Sequence, residues 1–382
     1  MSKIFRYLFL TIIFLFSLGQ LQRVQLSESI VFYLHDLFVV FWMWLIWIKH
    51  RSLFLKKFKK YSSNFLWFTI SIWIIIGLSI AYLSDGFSLT PILYLVRTVT
   101  YLLFGLSMSV FDYSDKNRRH WIMGGIIIAI LGMLQYLFLP DTRLIRLWGW
   151  DDHFYRLIST QLDPNFTGII LTLTFILIQS INYRSQILKT GLSLFLAASI
   201  LFTYSRASYL SFIISLLIII GLDKSHRLIK KLAIILGLFM IAIPFLPRPA
   251  GEGVKLERTA SISARIESNQ KPFTDLRPVE YLAGRGLFTY HQERPIATQW
   301  PNTAHFPSNL FIFIFTSTGI VGLILSILVI YKSGNYLYQK DVFIFTSFIA
   351  ILIHSQFNHT LFQPFVWLWL TGQIFLTEKS KT

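Results

Sequence analysis

The feature that most limits this chain is the alternation of apolar runs of bilayer length with short basic connectors. A helix crossing a bilayer core needs roughly 17–25 consecutive, mainly apolar residues. Windows of that kind fall near 5–22, 30–48, 64–83, 91–111, 120–139, 164–182, 187–204, 206–222, 231–247, 308–331, 341–357 and 359–377. The pattern predicts an all-α, polytopic integral membrane protein with about 12 transmembrane helices. Residues 1–382 then form a single membrane domain. One long loop, 248–307, separates helices 9 and 10 and carries enough apolar residues to pack on that domain, among them Phe273, Val279, Tyr281, Leu282, Leu287, Phe288 and Trp300. Lys3 and Arg6 precede the first apolar run, but no small-residue cleavage signal follows Gly19, so that run reads as a retained span.

Orientation follows from the basic residues of the short connectors. Lys49, Arg51, Lys56, Lys57, Lys59 and Lys60 share one connector. Lys116, Arg118 and Arg119 share a second, and Lys224, Arg227, Lys230 and Lys231 a third. With alternating spans all three fall on one side, together with both termini, and that side is expected to be the cytoplasm. A net charge of +17 distributed in this way suits anionic membrane lipids as partners and argues against nucleic acid. The absence of cysteine excludes disulfides, zinc–thiolate sites and thiol nucleophiles.

Positive-inside bias should deplete the opposite face of basic residues, yet it keeps Arg143, Arg146, Arg156, Arg206, Arg258, Arg265, Arg277, Arg285 and Arg294. Arginine is the side chain suited to bidentate phosphate binding. Arg206 stands out because it lies in the tight turn Tyr204-Ser205-Arg206-Ala207-Ser208 between two apolar runs, at the membrane boundary. The plainer reading of Arg206 is snorkelling to headgroups. Arg97 and Asp36 lie inside expected spans and read first as a structural ion pair. In His305-Phe306-Pro307-Ser308-Asn309, Pro307 suits the first turn of a helix, which would put His305 and Ser308 on one face. A histidine there can serve as a general base near neutral pH; the plainer reading is a loop hydrogen-bonder. Asp163 and Pro164 read as a helix cap and first position, leaving Asn165 open to substrate contact. Asp151-Asp152-His153 reads as a loop face rather than a metal site.

Taken together, three pieces resemble the O-antigen ligase and O-antigen polymerase family of bacterial envelope glycosyltransferases. Asp163-Pro164-Asn165 resembles the family's Asn-Pro-Asn-like segment, and Thr203-Tyr204-Ser205-Arg206-Ala207 resembles its Ser-Arg-Gly/Ala turn. The long loop ending in Ser308-Asn309, then nine residues, then Gly319-Ile320-Val321-Gly322, resembles its most characteristic motif. One departure stands out: the family has histidine where this chain has Ser308, and the nearest histidine is His305. The resemblance implies a GT-C-like membrane fold in the bacterial cytoplasmic membrane, with its active site extracytoplasmic. It also implies metal-independent, inverting transfer of a glycan from an undecaprenyl-diphosphate-linked oligosaccharide to a glycan or lipid A-core acceptor, with no cofactor. Within that reading His305 is the base, and Arg206 and Arg265 hold the diphosphate. Arg156, Asn165, Arg285, Ser308 and Asn309 are the substrate-binding candidates. The competing readings are a transporter or flippase for a lipid-linked sugar, and a peptidoglycan-polymerising membrane enzyme.

Overall fold

The computed structural model describes residues 3–27, 30–62, 65–85, 89–111, 115–249, 251–289 and 306–375. Its helices run α1 Lys3–Ser17, α2 Leu34–Ser62, α3 Phe65–Asp85, α4 Leu89–Met108, α5 Asp115–Phe138, α6 Pro164–Ser180, α7 Gln186–Leu201, α8 Arg206–Leu222 and α9 His226–Ala242. Three short ones follow, α10 Ala260–Gln270, α11 Pro272–Asp275 and α12 Pro278–Ala283, and then α13 Leu310–Lys340, α14 Val342–His354 and α15 Pro364–Ile374. Two short antiparallel strands, β1 Arg23–Gln25 and β2 Val31–Tyr33, link α1 to α2.

Each of the twelve apolar windows contains a helix. The stretches Leu34–Lys60, Leu89–Met108, Asn117–Phe138, His226–Phe245 and Leu310–Lys340 are long and apolar enough to cross a membrane, and several other apolar helices are shorter. The protein is therefore a mainly helical chain with five candidate membrane-spanning helices among the described residues. At the centre lies α6, buried along almost its whole length and packed against α5, α7, α8 and α14.

Local sequence sets the helix starts. Asp163 accepts hydrogen bonds from the Asn165 and Phe166 amides, with Pro164 in the first position. Ser205 caps α8 through the Ser208 amide, Ser225 caps α9 through Leu228, and Asp341 caps α14 through Phe343 and Ile344. Two expectations shift at such points. Asn309 is the cap of α13, so Pro307 and Ser308 precede the helix instead of sitting in its first turn. α14 and α15 are separated by nine residues, 355–363, not by the expected tight break. Gln363 caps the second helix there, and Pro364 cannot continue a preceding one.

The glycine pair of the tenth window has a physical role. Gly319 takes φ 65° and ψ −172°, a conformation essentially restricted to glycine, and breaks α13 in mid-course. A break inside an apolar layer leaves carbonyls that must find donors. They do so here: the Arg285 amide donates to Thr316 (2.9 Å), the Gly286 amide to Ser317 (3.0 Å), and the Trp73 indole to Thr318 (2.7 Å). The long loop thus docks on α13 backbone to backbone. A side chain at Gly319 would run into the Leu282 carbonyl, and one at Gly284 into the Ser317–Thr318 backbone.

The loop packs down only in part. Leu276 and Leu287 are buried, and Phe288 meets the rings of Tyr94, Phe313 and Phe362. Phe273 and Tyr281 each place one face against Phe315 but stay exposed on the other, and Val279 and Leu282 are more than half exposed. Trp300 lies outside the described residues. Asp36 and Arg97 pair at 2.9 Å, as expected of a structural ion pair. Tyr101 donates to the same carboxylate, and the Arg97 guanidinium also donates to the Val31 carbonyl.

Candidate functional site

Several helix ends meet at one side of the bundle: the starts of α6, α8, α13 and α15 and the ends of α7 and α14. The segment 149–163 and the loop helix α10 lie over them, and four arginines converge here. Arg156 is buried, and its guanidinium donates to the carbonyls of Thr203 (3.0 Å) and Tyr204 (3.4 Å) just beyond α7. Arg258 donates to the same Tyr204 carbonyl (3.3 Å) and to those of Gly253 and Lys255. Arg206, in the first position of α8, reaches the loop: it donates to the carbonyls of Leu256 and Arg258, both at 3.0 Å, and to the Ser261 hydroxyl at 2.8 Å. Arg265, on α10, donates a single long bond to the Asn358 Oδ1 (3.4 Å).

The electrostatics are lopsided. Burial, reinforced by Arg258, pushes the Arg156 guanidinium down to about 9. Arg258 is lowered to about 10 by burial and then by Arg206 and Arg265. Arg265 is lowered by burial and by Arg206, with Asp163 as the opposing charge. Asp163 acts on Arg156 and Arg265 and Glu252 on Arg258, and burial raises the Asp163 pKa despite two amide donors and the attraction of Arg156 and Arg265. Neutral acceptors, mostly backbone carbonyls, hold the guanidinium groups without neutralising them, so the cluster keeps its positive charge.

A polar layer continues from the arginines. Asn165 accepts from Ser205 (2.7 Å), and Ser208 donates to the Asn165 carbonyl (3.3 Å) and meets Nε2 of buried His354 (3.2 Å). The other nitrogen of His354 contacts the Thr360 hydroxyl at 2.5 Å. On α10, one turn beyond Arg265, Asn269 accepts from the Ser308 hydroxyl (3.2 Å) and the Asn309 amide (3.1 Å). Asn309 in turn donates to the Gln356 side chain (3.0 Å). Asn358 Nδ2 and His359 Nε2 are buried without a hydrogen-bond partner. Buried orphans of that kind fit a place where a ligand supplies the missing partner.

Of the residues picked from sequence, Arg156, Asn165, Arg206 and Arg265 come together, with Ser308 and Asn309 joined to them through Asn269. Arg285 is anchored elsewhere, on the α13 break, its guanidinium 4.0 Å from Glu280. Glu280 is buried and accepts from the Arg277 amide. His305 lies outside the described residues. The sequence reading missed the turn 355–363 and Asn269. His354, Asn358, His359 and Thr360 cluster around the junction of two apolar windows, and that cluster was the available signal.

No protein-family model matches the chain, and no curated protein matches it.

Proposed function

We propose that this protein transfers a glycan from an undecaprenyl-diphosphate carrier to a hydroxyl acceptor at the outer face of a bacterial cytoplasmic membrane, in the manner of an O-antigen ligase or polymerase. The observation that carries the reading is the cluster of four arginines, on which two carboxylates act, Asp163 on Arg156 and Arg265 and Glu252 on Arg258. Elsewhere the same chain neutralises its half-buried arginines: Arg97 with Asp36 and Arg118 with Asp341. At the site, four guanidinium groups are held by carbonyls and hydroxyls instead. Such an arrangement suits a ligand bearing two or more negative charges.

In this reading the acceptor oxygen attacks the anomeric carbon, the carbon–oxygen bond to the diphosphate breaks, and the configuration inverts. Charge grows on the departing diphosphate, and fixed guanidinium groups stabilise it without reorganising. Arg265 and Arg206 are assigned to that charge, with Arg156 fixing the site wall. The acceptor proton passes to a base, for which His305 is the assignment. Asn165, Ser308, Asn309 and the unsatisfied amide of Asn358 orient sugar hydroxyls. The twelve-span, GT-C-like arrangement with both termini cytoplasmic belongs to the same proposal. It is supported by the basic connectors lying at the opposite ends of these helices from the arginines.

The test is transfer by purified protein from an undecaprenyl-diphosphate-linked oligosaccharide, with chelator present, comparing wild type, Arg265→Met and His305→Ala. Carrier consumption that depends on both residues is expected, and product size separates polymerase from ligase. Carrier movement across vesicles without consumption would replace this reading with a flippase.

A further inference from the structure

A second polar feature lies at the opposite end of the bundle and has no role in the transfer chemistry. Between α7 and α9 runs a groove of about 310 Å³. Its walls are Thr190, Leu194, Ile234, Ile235 and Leu238, and its mouth is formed by Arg227, Lys230 and Lys231. The Nζ of Lys231 is buried and has no hydrogen-bond partner. Lys189, across the groove on α7, has its own ammonium occupied: it donates to the carbonyls of Gln179 and Ile181 at the end of α6, both at 2.9 Å. Asp223, the carboxylate acting on Lys189, already accepts from the Ser225 amide (2.7 Å).

This placement is costly for an empty groove. A buried ammonium without a partner is unfavourable. The cations also stand in the first two turns of α9, the positive end of its dipole, where no acidic residue offsets them. A phosphate at the mouth reverses both effects, because it pairs with Lys231 and lies at a helix N-terminus. From Lys231 to Leu238 the helix rises about 10 Å, along a wall that is apolar on the α9 side and fits an acyl chain.

We propose that this groove binds one membrane phospholipid with an anionic headgroup, the phosphate held by Lys231, Lys230 and Arg227 and an acyl chain lying along Leu194, Ile235 and Leu238. The occupant is a lipid and not a free anion because the groove continues into the apolar face of α9, whose sides are largely exposed along its membrane-spanning length. The basic residues of this face attract anionic headgroups diffusely, whereas the groove selects one molecule.

The test uses full-length protein in nanodiscs of phosphatidylcholine alone or with phosphatidylglycerol added. Native mass spectrometry reads the lipid retained, and thermal unfolding reads the stabilisation. Wild type should retain a phosphatidylglycerol and unfold at a higher temperature with it. Lys231→Met should unfold at the same or a higher temperature in phosphatidylcholine alone, since it removes an unpaired ammonium, and should lose the gain from phosphatidylglycerol. Arg227→Gln with Lys230→Gln, at exposed positions, should weaken retention about fivefold per cation removed. The exposed pair Lys56→Gln with Lys59→Gln should leave retention unchanged. An undiminished gain in Lys231→Met would overturn the proposal, and so would an equal loss in the Lys56, Lys59 pair, which would reduce the effect to diffuse surface attraction. Inorganic phosphate producing the same stabilisation as the lipid would equally overturn it.

Discussion

Arg265 offers the sharpest separation between holding the fold and binding substrate. Its one hydrogen bond to a protein group, to Asn358, is 3.4 Å long and goes to a neutral acceptor. Such a bond contributes at most about 1 kcal/mol. Against it stand burial and the repulsion of Arg206, the two largest influences on this guanidinium. Replacing Arg265 by methionine keeps much of the length of its apolar stem while removing the charge. The net change in stability should therefore lie within about 1 kcal/mol of zero, a shift in unfolding temperature of no more than about 2–4 °C. If Arg265 faces the diphosphate, the same change removes a preorganised donor from a growing anion, which costs about 10²–10³-fold in rate. The assay pairs thermal unfolding with initial rates of carrier consumption on one preparation. Arg265→Lys should recover only a minor part, because an ammonium cannot reproduce a bidentate grip. Activity within about fivefold of wild type would refute the assignment, taking about 1 kcal/mol as the limit of an indirect effect. A large fall in unfolding temperature would show instead that Arg265 is a structural clamp.

Arg206 should behave differently, since it ties three loop groups to α8. Arg206→Ala should open the segment near 256–261 by about 2–4 kcal/mol, from three charge-assisted bonds discounted for partial exposure; unchanged amide-hydrogen protection there would contradict it. Asp163→Asn probes the buried carboxylate, and amide oxygen can still cap α6. Because burial raises the Asp163 pKa above 3.8, the stability advantage of the neutral form is complete below that value and is lost as pH rises through the folded pKa. The asparagine variant should therefore be more stable than wild type at pH 7, and the difference should close toward pH 4; a difference independent of pH would refute this. Gly319→Ala should cost more than about 3 kcal/mol through backbone strain and collision with the Leu282 carbonyl, whereas Gly237→Ala, which meets nothing nearby, should be neutral or slightly stabilising. Equal unfolding temperatures for these two variants would undo the account of the α13 break.

The helical architecture was legible because a bilayer-length apolar run admits few alternatives, and each such window does hold a helix. Caps were legible where one residue decides them, as at Asp163-Pro164. The reading slipped where two signals compete. Pro307 suggested a helix start, but Asn309 carries the side chain that accepts from the Phe311 and Ile312 amides, so the helix begins three residues later. Arg156, Arg206 and Arg265 were found because arginine is conspicuous on a face expected to lack it. Asn269, His354 and Asn358 were not, because their importance lies in which helix ends meet, and periodicity along one segment carries no information about that.

The way this chain treats its charges also bears on the choice between transferring and transporting a lipid-linked sugar. A transporter would be expected to carry ionisable groups near the middle of its spans, in arrangements able to exchange partners. In the first half, Arg97, midway along α4, pairs with Asp36 in the first turn of α2, and the pair is closed: the carboxylate accepts from Arg97, from Tyr101 and from the Tyr33 amide, while His35 is bonded to Gln22 and Tyr101. Every strong donor and acceptor there is matched within the protein, so a passing anion would gain little by breaking in. The arginine cluster is the reverse case: four guanidinium groups outnumber the two carboxylates acting on them, and the Asn358 amide nitrogen is buried without a hydrogen-bond partner at the same end of the bundle. In the proposed reading, that contrast favours binding and reaction at one face over conduction through the bundle.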